Sequence, residues 1–195
     1  SIGSWITIGH PAIAEIMADC GFDWLCVDLE HTVIDYQQAS LLISTIQSKN
    51  LKAFVRVGEN DSLIIKRVLD AGADGIIVPM VNSVKDAKKA ISSVKYPPLG
   101  RRGVGLSRAQ GYGFNFENYR DTTAKEVKLI VQIEHIEAIN NLEEILSLEY
   151  IDGTFIGPYD LSGSMGKPGD YNDDDVKLVL KKYEEISSKF NKLKG

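Results

Sequence analysis

Short apolar runs bounded by polar turns recur along the chain. Between most of them lies a stretch in which apolar residues repeat every three or four positions. Runs of the first kind read as buried strands of a parallel sheet, and stretches of the second kind as amphipathic helices. Strands are expected at residues 4–8 (SWITI), 24–28 (WLCVD), 52–57 (KAFVRV), 75–78 (GIIV), 128–133 (KLIVQI) and 153–156 (GTFI). The first helix opens at His10-Pro11, covers 12–20 and stops at Gly21, with Pro near the first position as helix starts favour. Asp35 can cap a helix over 36–47, Gly72 ends one over 62–71, and Ser83 caps one reaching about Val94. Residues 96–113 read as a long loop, 137–148 as an amphipathic helix, and 173–192 as a final helix with Gly195 at its stop.

Strand and helix thus alternate with short connections, the pattern of an α/β fold built on a parallel sheet. The regular spacing, and the lack of a GxGxxG after the first strand, favour a (β/α)8 TIM barrel over a dinucleotide-binding sheet. About six of the eight βα units are countable. An open barrel would expose two strand edges and a strip of core. We therefore expect one domain over 1–195 that stops short of the last two βα units.

Composition narrows the class of protein. A length of 195 residues is enough to bury a core. A formal net charge of -5 argues against a nucleic-acid groove, which needs a basic face. No apolar run approaches the ~18 residues of a membrane span, and no signal peptide is visible. Cys20 and Cys26 lack zinc or CxxC spacing and read as reduced, packed side chains of a cytoplasmic protein.

Chemistry collects at the C-terminal ends of strands in such barrels. The second strand delivers Asp28, Glu30 and His31 there, the third Arg56, the fifth Gln132 and Glu134, and the turn after the sixth Asp160. Glu134 and Asp160 suit a hard divalent cation, Mg²⁺ or Mn²⁺, with Co²⁺ as a further option. Two protein ligands leave positions for water and a chelating substrate, and the metal can act as a Lewis acid. His31, with its unperturbed pKa near neutrality, is the general base. Arg56 is a fixed cation for a carboxylate or developing oxyanion. Asp28 and Glu30 flank these groups as supports.

Each residue taken singly has a plainer reading. His31 could be structural, Arg56 could pair with a rim carboxylate, and Asp160 could cap a short helix. The coincidence at strand ends carries more weight than any one of them. Together they describe proton abstraction beside a carbonyl, as in a metal-dependent aldolase acting on a 2-oxo acid. No lysine sits at a strand end for a Schiff base. The loop with Arg101, Arg102 and Arg108 reads as solvated, although it could reach an anionic substrate. Gly163-Ser-Met-Gly166-Lys167 lacks the spacing of a phosphate loop.

At these residues the sequence resembles the HpcH/HpaI aldolase family of class II pyruvate aldolases. The resemblance rests on Gly21-Phe-Asp-Trp24 through Glu30-His31, Val78-Pro-Met-Val81, Tyr96-Pro-Pro-Leu-Gly-Arg-Arg-Gly-Val104, Gln132-Ile-Glu134 and Phe155-Ile-Gly-Pro-Tyr-Asp-Leu161. It implies the barrel and a reversible cleavage of a 4-hydroxy-2-oxo acid to pyruvate and an aldehyde. It also implies His31 as base, Arg56 as the stabilising arginine, and Glu134 and Asp160 as metal ligands. Gln132 and the backbone at Tyr159 would contact pyruvate. Asp70, which its own sequence context makes a helix-surface residue, would raise the basicity of the histidine. The partners implied are a small 2-oxo acid and an aldehyde, and a homo-oligomer, hexameric in relatives. A non-catalytic small-acid-binding barrel and an acyl-CoA ester lyase are the alternatives.

Overall fold

The protein is described by a computed structural model covering residues 1–195. Its strands are β1 (Gly3–Ile6), β2 (Trp24–Asp28), β3 (Lys52–Arg56), β4 (Gly75–Val78), β5 (Lys128–Ile133), β6 (Gly153–Ile156) and β7 (Leu193–Lys194). All neighbouring pairs are parallel, in the order β1-β2-β3-β4-β5-β6-β7. Strand order following chain order is the topology of a TIM barrel, here as a curled, partial one. The curl is deep enough that Trp5 on β1 meets Phe155 on β6 edge to face, with ring centroids 5.4 Å apart.

The helices that cover the sheet are α1 (Pro11–Ala18), α2 (Tyr36–Ser48), α3 (Ser62–Asp70), α4 (Val84–Val94), α5 (Phe116–Asp121), α6 (Thr123–Glu126), α7 (Ile136–Asn140), α8 (Leu142–Leu146), α9 (Pro158–Ser164) and α10 (Asp174–Ser187). Their starts obey local chemistry. Asp35 and Gln38 form a full capping box on α2, Ser83 accepts from the Asp86 N–H on α4, and Asp61 accepts from Leu63 and Ile64 on α3.

Four expectations need correction. The last helix ends at Ser187, and the chain then turns into β7, so Gly195 is not a helix stop: its N–H bonds Thr154 O across the sheet. Seven strands are present rather than six. The expected helix over 137–148 is two short ones, because Asn141 interrupts it and turns its amide onto Asn82 O at 2.8 Å. Cys20 is exposed rather than packed, although Cys26 is buried as expected.

Two apolar layers follow from the period-two alternation of strands. Leu25, Val27, Ala53, Val55, Ile76, Leu129, Val131 and Ile133 point out against the helices and form the main core. Truncating one of these large side chains to Ala would cost about 2–5 kcal/mol. The residues between them point into the barrel, where Cys26, Ile77 and Ile130 pack with Trp5, Trp24, Phe54 and Phe155. Continued to the strand ends, the inward set becomes Asp28, Arg56 and Gln132, with Glu134 two positions on.

The opposite ends of the strands carry a repeated device. Asp23, Asp74 and Asp152 each precede a strand by one residue, and each accepts the N–H at the start of the preceding one. The distances are 2.7 Å from Ile2, 3.0 Å from Ala53 and 2.9 Å from Leu129. Lys52 and Lys128 neutralise the latter two at 2.9 and 3.0 Å. These carboxylates lock strand register at the N-terminal rim.

Candidate active site

The register itself makes the first contact of the site. Asp28 and Arg56 are Cα partners across β2 and β3, and their side chains form a two-pronged ion pair. Arg56 Nε donates to Asp28 Oδ1 at 3.0 Å and Nη2 to Oδ2 at 2.7 Å. Asp28 is buried and also accepts the N–H groups of Glu30 (3.0 Å) and His31 (3.3 Å), while the Thr32 hydroxyl closes the turn onto Asp28 O. This shapes the bend that carries Glu30 and His31 over the rim. Burial alone would raise the Asp28 pKa, but the Arg56 pair and the two N–H groups hold it below the usual carboxylate range. Arg56 is kept protonated by the same pair despite its burial, and its guanidinium lies 4.5 Å from the centroid of the Trp5 ring.

Glu134 sits across the mouth, 2% exposed. Its Oε1 accepts the Met80 N–H at 2.7 Å, and its Oε2 accepts the Gln132 amide. Met80 achieves this with a left-handed backbone, φ 52°, a conformation that costs a side-chain-bearing residue about 1–3 kcal/mol and tends to mark functional sites. Gly157 packs against the same carboxylate: a Cβ there would lie 2.9 Å from Glu134 Cβ. Only glycine lets the Gly157-Pro158-Tyr159-Asp160 turn pass this closely. Met80 and Gly157 had no local signal in the sequence beyond Pro79 and the Gly-Pro step. Trp5, under the arginine, was readable only as a strand aromatic.

Glu30 is the group out of balance. Its carboxylate lies 3.3 Å from Arg56 Nε and 3.8 Å from His31 Nε2, yet its Oε2 is buried without a hydrogen bond. Burial first, and then the Glu134 charge, push its pKa up to about 7 against the pull of Arg56 and His31. Gln132 Oε1 is likewise buried and unpartnered. His31 is 61% exposed at the side chain.

The remaining expected residues are placed less tightly. Asp160 lies exposed in the first turn of α9 with no hydrogen bond or ion pair, and no three acidic, His or Cys side chains converge as a ready cluster. Tyr159 is 62% exposed and its ring meets Tyr171 edge to face. Asp70 does not touch His31 within the chain. It ends α3, at the far end of the sheet, where it accepts Arg102 Nη2 at 2.9 Å and the Gln110 amide at 3.1 Å. The arginine loop is not solvated throughout. Arg102 is buried between the Tyr96 and Tyr119 rings, and Arg108 is tied to Gln47 and Ala71 O.

A TIM-type barrel that gathers carboxylates, an arginine, a glutamine and a histidine at its C-terminal rim is a lyase-like scaffold for oxyacid chemistry. This chain belongs to the HpcH/HpaI aldolase/citrate lyase family, which it matches over residues 1–191. It is 39% identical over 180 residues to a hydroxypyruvate/pyruvate aldolase of Sagittula stellata, covering 92% of this chain and 71% of the relative. A family protein from Burkholderia cenocepacia superposes with a TM-score of 0.95 at 31% identity, over all of this chain and 78% of that one. The fold alone is shared with a CitE protein of Mycobacterium tuberculosis solved with magnesium and acetoacetate, at a TM-score of 0.63 and 15% identity, over 98% and 70% of the two chains. No helix here is long and apolar enough to cross a membrane.

Proposed function

We propose that this chain is the barrel of a class II aldolase that reversibly cleaves a 4-hydroxy-2-oxo acid to pyruvate and an aldehyde. The single observation that carries the reading is the surplus of negative charge at the C-terminal rim. Glu30 and Glu134 repel each other across the rim with Arg56 as the one fixed cation beside Glu30, and two buried oxygens there, Glu30 Oε2 and Gln132 Oε1, lack partners. A divalent cation fits that donor set, with Glu134 and Asp160 as its protein ligands and Glu30 close by. When bound, Mg²⁺, Mn²⁺ or Co²⁺ supplies Lewis acidity to the 2-oxo acid.

The chain's own groups do the rest. Arg56, fixed by Asp28 and Trp5, presents a guanidinium to the negative charge that develops on the keto oxygen as the carbon–carbon bond breaks. Gln132 and the backbone at Tyr159 orient the pyruvate carboxylate. His31 takes the proton from the 4-hydroxyl during cleavage and returns it during addition. Asp28 sets the turn that aims His31, so its part is positioning. The role implied for Asp70 is not available inside one chain and needs Asp70 from a neighbouring copy, in keeping with a cytoplasmic homo-oligomer.

The test is a panel of aldehydes with pyruvate and Mg²⁺ or Mn²⁺, scored for aldol product, beside His31→Ala. We expect product with the wild type, none in excess chelator, and a loss of about 10²–10⁴-fold in the variant with unchanged melting. Full turnover in the variant removes His31 from the mechanism. Pyruvate binding without aldol product, and without C3 exchange in heavy water, favours the binding-barrel alternative.

A further inference from the structure

One more charge in the molecule lacks its partner, at the other end of the sheet. α4 runs back from β4 and ends at Val94, which puts Lys95, its C-cap, near the N-terminal ends of the strands. Lys95 is only 8% exposed, and its ammonium makes no hydrogen bond or ion pair. It faces the ring of Tyr150, with Nζ 5.6 Å from the centroid. Asp152 is the acid that acts on it, but that carboxylate is already held by Lys128 Nζ and the Leu129 N–H. Burial lowers the Lys95 pKa, and Asp152 offsets this only in part.

The cation–π contact with Tyr150 returns roughly 0.5–2 kcal/mol and leaves the charge without a counter-ion. The stem of Lys95 is buried while its ammonium opens into a cavity of about 450 Å³ that it lines with Tyr96, Pro97, Pro98, Lys125 and Tyr150. The one acid on its wall, Asp121, is taken by Arg120 through two bonds of 2.8 Å. Lys125, like Lys95, has no partner. The wall therefore keeps a positive surplus in a chain of net charge -5.

We propose that this cavity binds a small organic anion, a carboxylate or a phosphate ester. Lys95 pairs its charged group, and Tyr96, Pro97 and Tyr150 take its apolar part. The site is separate from the strand-end groups and does not depend on the aldolase reading.

The experiment titrates the whole protein with benzoate and with phenyl phosphate, following melting and amine acylation mapped by mass spectrometry. At about a hundredfold excess over Kd, the better probe should raise Tm by roughly 5–10 °C. It should also protect Lys95 from acylation while leaving Lys181, exposed on α10, as reactive as before. Lys95→Met should remove the response, and Lys95→Arg, which keeps the charge, should retain it. A response to one probe alone identifies the preferred head group. No saturable response to either, or an equal response in Lys95→Met, overturns the proposal; if Lys95→Met does not fold, acylation of Lys95 unchanged by both probes does so.

Discussion

At the N-terminal rim Asp74 and Asp152 are each closed by a backbone N–H and a lysine, whereas at the C-terminal rim the carboxylates outnumber their cations. Asp74 takes Lys52, the Ala53 N–H and the Gln47 amide, and nothing is left over. At the other rim Arg56 is shared by Asp28 and Glu30, while Glu134 has only the Gln132 amide and the Met80 N–H, and the two glutamates repel each other. Both rims are built on the same strands by the same alternation. A closed ion pair holds register; a surplus of like charge works against the fold until a counter-charge meets it.

Breaking the one closed pair at the C-terminal rim should have the largest effect. Arg56→Met leaves Asp28 buried and unpaired, which should cost about 3–5 kcal/mol. Aldol turnover should vanish as well. Denaturant unfolding and a turnover assay read the two; an intact, active variant would mean that the pair organises nothing.

A comparable break at the N-terminal rim should be smaller and confined to stability. Asp74→Ala orphans the Ala53 N–H and frees Lys52, for a cost of about 1–3 kcal/mol. Turnover of the molecules still folded should be unchanged. Equal losses of turnover at both rims would erase the distinction.

Smaller still is a pH effect confined to Glu30. Its folded pKa, near 7, lies above its ordinary 4.5. The native state therefore holds this proton more tightly than the unfolded chain does. Its contribution is complete below about pH 4.5 and is lost as pH rises through 7. Asp28 runs the other way, with its stabilisation lost as pH falls through its lowered pKa. Without divalent cation, Glu30→Gln should flatten the loss of stability between pH 5 and 8, seen as melting temperature against pH.

Much of this was legible in the chain. The six expected strands reappear with ends shifted by no more than two residues, because buried parallel strands are short apolar runs with abrupt polar ends. Residues 193–194 were not legible as a strand, since two polar-flanked positions carry no alternation. Asn141 was hidden inside a good helical period, because its break depends on a distant carbonyl at Asn82. The rim residues Asp28, Arg56, Gln132 and Glu134 followed from strand-end position alone. What escaped was contact across the sequence: the left-handed Met80 that meets Glu134, the close pass of Gly157, and the three register aspartates, whose spacing is too loose to read as a repeat. Asp160 belongs with the expected set by position, although its side chain makes no contact that tests its role.

The surplus of charge at the C-terminal rim is tested most directly by NMR titration of the Glu30 carboxyl carbon, with and without saturating Mg²⁺. Without the ion we predict a midpoint near 7, lowered by Glu134→Gln. With Mg²⁺ the midpoint should fall toward the ordinary carboxylate range, and Glu134→Gln should abolish that fall. A Glu30 midpoint that Mg²⁺ leaves unmoved would contradict the claim that this rim seats a cation.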